Sequence, residues 1–163
     1  MKIYIGGDHA GYELKEKLKK FLSELGHEVE DKGAFKYDAE DDYPDFVLPV
    51  AKAVGQDPER SRGVVIGGSG QGEAMVANRV PGVRAAVFYA VRLPYEPTEI
   101  EGRESFNPFE IVVLSRTHNN SNVLSLAARF LLEEEAKQAV KIWLETPFAG
   151  GRHERRIKKI DAI

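Results

Sequence analysis

Three short polar segments carry the side chains of this chain that are best able to do chemistry. Asp8-His9 follows one apolar run, GGSGQGE ending at Glu73 follows another, and His118-Asn119 precedes a third. A carboxylate or an imidazole can move a proton, and the backbone N–H groups of a glycine-rich turn can hold an anion. We interpret the apolar runs as parallel strands, whose carboxyl ends form the ligand-binding edge of such a sheet. We therefore expect all three segments to converge at that edge.

The glycine-rich turn excludes two common nucleotide-binding functions. It lacks the Gly-Lys-Ser/Thr of a P-loop, and no further glycine completes a dinucleotide fingerprint from Gly68 or Gly70. A tight strand-to-helix turn without any ligand remains an alternative. Glu73 is either a proton-transfer group or a favourable acid in a first helical turn. A helix N-terminus lowers its pKa and burial raises it, so the direction is open.

The C-terminal segment adds a possible anion site. Arg152 and Arg156 are four residues apart, so on a helix they share one face and suit a phosphate dianion. The alternative is a solvated basic tail. We expect no metal site, because the histidines at positions 9, 27, 118 and 153 lack a ligand spacing. The acidic residues at 38 and 40–42 are interpreted as a solvated loop.

Hydrophobic periodicity predicts alternating strands and helices that must position these segments. The predicted strands cover residues 2–6, 62–66, 83–89 and 123–127, and a weaker pattern predicts one more strand at 27–33. The predicted helices are 14–25 with Gly26 as its cap, one from 42–44 to Gly55, 73–79, 132–144 and 152–159. Pro49 predicts a kink or a late start in the second helix. Residues 90–107 are predicted to be a long irregular excursion, and Ile111–Leu114 fits either a helix after Asn107-Pro108 or a strand.

Length and composition limit the function classes further. The chain has 163 residues, 42% of them hydrophobic, a formal net charge of −3 and no cysteine. These values predict one globular domain over residues 1–163 and argue against a general nucleic-acid binder. Disulfides and thiol nucleophiles are excluded. No run reaches the length of a membrane span, and MKIYIGG is too short for a signal peptide. We expect a soluble cytoplasmic protein.

Five dispersed motifs resemble one enzyme family. They are GGDHAGYELK, DYPDF, GGSGQGEAMVANRVPGVRAA, RTHNNSNVL and GGRHERR, in this order over nearly the whole chain. They are similar to type B ribose-5-phosphate isomerases and to the related galactose-6-phosphate isomerase subunits. The resemblance implies an α/β fold, a three-layer α/β/α sandwich with a five-stranded parallel sheet of the doubly wound, Rossmann-like type. It also implies aldose–ketose isomerisation through a cis-enediolate without metal or cofactor, in a homodimer or larger assembly such as a homotetramer whose active sites are shared between subunits.

The resemblance further implies a role for individual residues. Glu73 would move the proton between adjacent carbons, Ser69 and the turn amides would stabilise the enediolate, and His118 would open the sugar ring. The residues expected to bind the sugar are Asp8, His9, Gly68, Gly70, Gln71, Gly72 and Asn119. The residues expected to clamp the phosphate, some of them from a partner subunit, are His9, Arg129, Arg152 and Arg156.

Two features of the sequence bear on the identity of the base and of the substrate within this family pattern. Some members use a cysteine as base at the position of Gly67, whereas this chain matches the branch that carries glutamate, here Glu73. The excursion at 90–107 is longer than the family pattern leads us to expect, and long loops in compact domains are commonly functional. A hexose 6-phosphate, such as galactose or allose 6-phosphate, is therefore an alternative substrate. A non-catalytic sugar-phosphate-binding subunit is a further alternative.

Overall fold

The computed structural model describes residues 1–99 and 102–162, and its core is a five-stranded parallel sheet. The strands are β1 (Lys2–Gly7), β2 (Glu28–Asp31), β3 (Ser61–Gly67), β4 (Ala85–Phe88) and β5 (Val123–Ala127). Their order across the sheet is β2-β1-β3-β5-β4, and every neighbouring pair runs parallel. The central β3 is apolar on both faces because helices cover both of them.

Six helices complete the described part of the chain. They are α1 (Tyr12–Glu24), α2 (Pro44–Gln56), α3 (Gln71–Ala77), α4 (Glu110–Thr117), α5 (Glu133–Glu145) and α6 (Arg152–Ile160). Buried side chains of α1, α4 and α5 form one core with one face of the sheet, and those of α2 and α3 form a second core with the other face. The predicted three-layer α/β/α sandwich is confirmed.

Two neighbouring strands of this sheet define the topological switch point. From β1 the chain crosses to β2 through α1 on one face, and from β2 it reaches β3 through α2 on the opposite face. The crossovers therefore diverge beside β1 and β3, which leaves a crevice at their carboxyl ends. Asp8 follows β1 and the glycine-rich turn follows β3, so both lie at this crevice.

Most predicted elements are confirmed within a few residues, and the differences have local causes. The second helix begins at Pro44, so the predicted late start is wrong; Pro49 lies inside the helix. The ambiguous residues 111–114 are helical: within α4, Val112 is buried in the core with Phe109, whereas Ile111 lies on another side of the helix and is exposed. Residues 90–99 and 102–107 form no strand or helix, as predicted for the excursion. Across the described residues, no helix is both long and apolar enough to cross a membrane.

A buried hydrogen bond ties the glycine-rich turn to the sheet. Ser125 on β5 is fully buried, and its hydroxyl donates to the carbonyl of Gly70 at 2.6 Å. Gly70 is the residue before α3 and has φ = +73°, a left-handed conformation that glycine adopts without strain. The bond therefore fixes the direction in which α3 leaves the turn.

We expect Ser125→Ala to lower the free energy of unfolding by about 1–3 kcal/mol, because it leaves the buried carbonyl of Gly70 without its donor. Urea denaturation measures this change. Ser23→Ala, on the exposed side of α1, is the control and should change stability by less than about 0.5 kcal/mol. Equal effects of the two substitutions would show that the Ser125 bond contributes nothing specific.

Candidate active site

Glu73 lies in the first turn of α3 with its carboxylate directed back toward the end of β3. The residue is 4% exposed. A side-chain carbon built on Gly67 would coincide with the Glu73 carboxylate. The absence of a side chain at Gly67 is therefore what gives the carboxylate its place. The space beside Gly67 at the end of β3 is thus filled by a carboxylate from the next helix.

Burial raises the pKa of Glu73, and the nearby negative charge of Asp8 raises it further. A hydrogen bond from the backbone N–H of Glu73 itself acts in the opposite direction. Burial is the largest of these effects, so the pKa of Glu73 is raised, a direction that the sequence alone left open. A carboxylate with a raised pKa is a stronger base once it is ionised, and this suits proton abstraction near neutral pH.

Asp8 fixes the start of α1 beside Glu73. Its Oδ1 accepts hydrogen bonds from the backbone N–H groups of Ala10 at 3.0 Å and Gly11 at 3.2 Å. Its Oδ2 lies 3.9 Å from Nδ1 of His9. The side chain is buried, so it is held rigidly at the crevice between β1 and β3.

His9 is held by an acidic residue that the sequence analysis assigned to a solvated loop. Oδ1 of Asp41 accepts from the backbone N–H of His9 at 2.9 Å and lies 2.8 Å from its Nδ1. The Asp41 side chain is only 8% exposed, so its interpretation as solvated is wrong. The hydrogen bond that the His9 ring donates to Asp41 raises the pKa of His9, which favours the imidazolium form.

Arg129 brings a second cation to the same edge. It follows β5, its backbone N–H donates to the carbonyl of Gly68 at 3.2 Å, and its guanidinium lies over Gly68. Its charge counteracts the rise in the pKa of His9, which shows that the two groups are close. Two neighbouring cations at a crevice suit an anionic ligand.

The remaining turn residues also lie at this edge. Ser69 is exposed and its hydroxyl accepts from the backbone N–H of Gln71 at 3.4 Å. Gly72 faces the ring of Tyr43, which leaves no space for a side chain there. We call the group formed by Asp8, His9, Asp41 and Glu73 the carboxylate site.

His118 and Asn119 do not join the carboxylate site of the same chain. His118 ends α4, and the residues that follow lead into the amino end of β5. This end lies at the amino edge of the sheet, because Val123 pairs with Gly63 near the start of β3. Residues before a strand lie at its amino end, so the predicted convergence of all three segments within one chain is wrong. Strands of five to seven residues separate the two edges by roughly 15–20 Å.

His118 instead forms a second polar group at the amino edge, which we call the histidine cluster. Its ring stacks on that of His153 with centroids 4.0 Å apart and an interplanar angle of 11°. Its Nε2 lies 2.7 Å from Oε1 of Glu99, and Oε2 of Glu99 accepts from Nη2 of Arg152 at 2.8 Å. Arg156 lies one turn further along α6 and is exposed.

Charges within the histidine cluster shift the pKa values of its members. The hydrogen bond from His118 lowers the pKa of Glu99, and the charges of Arg152 and Arg103 lower it further. Burial lowers the pKa of His153, and the charges of His118, Arg152 and Arg156 act in the same direction. Glu99 is therefore ionised, and His153 is a neutral surface for His118.

Two groups of described residues hold donor atoms close enough together for a metal ion. They are Asp8, His9 and Asp41, and Glu99, His118 and His153, with the donor atoms of each group within 4.8 Å of one another. The second group unites two histidines that are 35 positions apart, which sequence spacing could not reveal. Arg129 beside the first group and Arg152 beside the second favour an anion over a cation at both places.

Sequence reasoning missed three residues that the structure brings to these groups. Asp41 precedes the DYPDF motif, His153 lies inside GGRHERR, and Glu99 lies in the irregular excursion. His153 could have been found by its position inside a resembling motif, and Asp41 by its position directly before one. Nothing in the residues around Glu99 indicates its contacts.

Comparisons with known proteins agree with this geometry. A family model described as Ribose/Galactose Isomerase matches residues 3–94 and 107–160. Ribose-5-phosphate isomerase B of Mycobacterium tuberculosis (strain CDC 1551 / Oshkosh) is 39% identical over 158 residues, which cover 96% of this chain and 86% of the relative. The same-named protein of Mycobacterium leprae is 38% identical with the same coverage.

Solved structures of similar proteins share the fold. Ribose-5-phosphate isomerase B from Mycoplasma genitalium, with bound ribulose-5-phosphate, has a TM-score of 0.86 at 36% identity and covers 99% of this chain and 94% of its own. The enzyme from Clostridium thermocellum has a TM-score of 0.83 at 40% identity and covers 99% and 96%. These likenesses cover nearly the whole chain, and with the family match they confirm the resemblance seen in the motifs: the chain belongs to the ribose/galactose isomerase family.

Proposed function

We propose that this protein interconverts ribose 5-phosphate and ribulose 5-phosphate, with Glu73 as the base. The observation that carries the proposal is the buried Glu73 carboxylate, which occupies the space beside Gly67 at the end of β3. Relatives that are 39% and 40% identical are named ribose-5-phosphate isomerase B, and one solved relative holds ribulose-5-phosphate.

The reaction moves one proton from C2 to C1 and one proton from O2 to O1. Ionised Glu73 removes the proton from C2 of the open-chain aldose, and the C–H electron pair forms the C1–C2 double bond of a cis-enediolate. Glu73 then returns the proton to C1, while the hydroxyl proton of O2 passes to O1 as the ketone forms. The N–H groups of the turn from Gly70 to Gly72, with the hydroxyl of Ser69, are the donors suited to the enediolate oxygens.

Cations at both edges fit the phosphate of the substrate. His9 and Arg129 lie at the carboxyl edge, and Arg152 and Arg156 lie on α6 at the amino edge. One phosphate cannot contact both pairs within a single chain, because the edges are roughly 15–20 Å apart. We infer a homodimer in which the carboxylate site of one subunit faces the histidine cluster of its partner, so that Glu73 and His118 act on the same sugar.

His118 suits the ring-opening step in this arrangement. An imidazole can donate a proton to the ring oxygen of the cyclic sugar and accept the proton of the anomeric hydroxyl. Asn119 is exposed next to it and can hold a sugar hydroxyl. Binding of the remote phosphate would place the reacting carbons against Glu73.

A hexose 6-phosphate is the second candidate substrate. The family match omits residues 95–106, and Glu99 from this stretch contacts His118. A changed lining near the ring-opening histidine can alter which sugar fits. Relative kcat/KM values for pentose and hexose phosphates separate the candidates, and one methylene supplies about 10- to 200-fold discrimination. A non-catalytic subunit is disfavoured because Ser69, Glu73 and His118 are all present.

We expect Glu73→Gln to lower kcat by about 10²–10⁴-fold while the affinity for inorganic phosphate is kept, because only proton transfer is removed. Gly67→Ala should cause a loss of the same kind, because its methyl group displaces the carboxylate. Coupled assays measure turnover, and deuterium uptake from D2O into the sugar reports proton transfer. Glu13→Gln, an exposed acid in the first turn of α1, is the control. Undiminished turnover in Glu73→Gln would remove Glu73 as the base.

The shared site predicts complementation between two inactive variants. Glu73→Gln and His118→Asn should each be inactive alone, whereas subunits unfolded and refolded together should recover about a quarter of the wild-type activity. Half of the dimers are mixed, and one of the two sites in a mixed dimer holds both intact residues. Activity is assayed after refolding, with each variant refolded alone as the control. A mixture as inactive as its components contradicts a site shared between subunits.

The pH dependence of substrate affinity should respond to Asp41. His9 binds the phosphate as imidazolium, so affinity falls as the pH rises through its pKa, which Asp41 raises. Asp41→Asn should move this loss of affinity toward lower pH and raise KM roughly three- to tenfold near neutral pH.

KM profiles of the wild type and of Asp41→Asn measure the shift, with Asp42→Asn, an exposed neighbour, as the control. The fall of kcat/KM at acid pH, where Glu73 with its raised pKa becomes protonated, should stay in place in all three proteins. If the loss of affinity at alkaline pH occurs at the same pH in Asp41→Asn as in the wild type, His9 is excluded as the group that controls phosphate affinity.

A further inference from the structure

Residues 95–106 lie outside the stretches that match the family model, and we call them the inserted segment. Its described residues are anchored on Glu110, which is 3% exposed in the first turn of α4. Arg103 donates to Oε1 of Glu110 at 2.6 Å, and the hydroxyl of Ser105 donates to its Oε2 at 2.7 Å. The C-terminal part of the inserted segment is therefore fixed to the protein independently of Glu99.

Glu99 bridges two residues that contact the substrate in the proposed function. One carboxylate oxygen lies 2.7 Å from Nε2 of His118, and the other accepts from Nη2 of Arg152 at 2.8 Å. The three side chains are between 20% and 33% exposed, so a ligand can reach them from solvent. The carboxylate thus presents an anionic acceptor to one imidazole and one guanidinium at the same time.

We propose that Glu99 is an affinity-determining residue of the isomerase: it occupies the hydrogen-bonding positions on His118 and Arg152 that the sugar phosphate takes, and substrate must displace it. The inference rests on the proposed function, which assigns Arg152 to the phosphate and His118 to the ring oxygen. It adds a residue, supplied by the inserted segment, that lies outside the family match.

The chemistry of the two anions makes their binding mutually exclusive. A carboxylate and a phosphate both accept charge-assisted hydrogen bonds from a guanidinium. The N–H of Arg152 that points at Glu99 cannot point at a phosphate in the same arrangement. The Nε2 edge of His118 is likewise covered by Glu99, so a ring oxygen reaches it only after the carboxylate has moved.

The surroundings of Glu99 allow this exchange. Arg103 Nη2 lies 4.0 Å from Oε1 of Glu99, which gives the displaced carboxylate a nearby cation. The anchors on Glu110 stay in place when Glu99 rotates away. The free enzyme therefore provides hydrogen-bond partners for His118 and Arg152 internally, and the affinity for phosphorylated sugars is reduced by the free energy needed to displace Glu99.

Glu99→Gln tests the proposal, because it keeps the shape of the side chain and removes its charge. We expect the dissociation constant for inorganic phosphate, measured by calorimetry, to fall about three- to tenfold. KM for ribose 5-phosphate should fall by a similar factor while kcat stays within about twofold. Glu96→Gln, an exposed acid of the same segment, should leave all three values unchanged. Glu99→Ala is a second variant that should tighten phosphate binding in the same direction.

A double-variant cycle makes the test specific. In the Arg152→Ala background, Glu99→Gln should no longer change the affinity for phosphate, because the shared donor is gone. Unchanged phosphate affinity in Glu99→Gln overturns the proposal. A fall in kcat at unchanged KM also overturns it and would make Glu99 a positioning residue for His118. If the wild type does not isomerise ribose 5-phosphate, the proposed function fails, while the phosphate measurements still decide the role of Glu99.

Discussion

The burial of one carboxylate beside a glycine is the constraint on which the rest of this molecule depends. Glu73 needs the space that Gly67 leaves open, and its raised pKa comes from the same burial. The hydroxyl of Ser125 on β5 holds the turn that brings α3 to this position. The diverging crossovers beside β1 and β3 then open the crevice in which such a base meets a ligand. Fold and chemistry are linked through a few buried contacts at one end of the sheet.

In the function that we propose, the polar groups divide the reaction between two edges of the sheet. The carboxylate site has a buried carboxylate with cations near it, which suits proton transfer between carbons. The histidine cluster combines His118, a neutral His153 and arginine donors, which suits ring opening and phosphate binding. In the homodimer that we propose, the second copy of the chain would bring these two groups together on one sugar. The inserted segment adds a carboxylate to the histidine cluster, so that His118 and Arg152 already have an anionic hydrogen-bond partner within the chain.

Local patterns were sufficient for most of the architecture. The apolar runs at β1, β3 and β5 and the stripes of α1 and α5 are strong, because a sheet centre and an amphipathic helix each impose a clear period. The helix at α4 was ambiguous, since a four-residue apolar run fits both periods and only its packing with Phe109 decides between them. Pro49 does not delay the start of α2, because the packing of this helix on the sheet outweighs one missing backbone hydrogen bond.

The sequence by itself determined which groups can react: a glutamate after a glycine-rich turn, histidines, and arginines at helical spacing, in motifs typical of one family. Only the tertiary structure decided which of them meet. His118 lies at the amino edge because it precedes its strand. The Asp41 side chain is mostly shielded from solvent where it pairs with His9, and Glu99 reaches His118 and Arg152 across 19 and 53 positions. The reason is that composition and period describe each element alone, whereas contacts between distant side chains depend on how the elements pack.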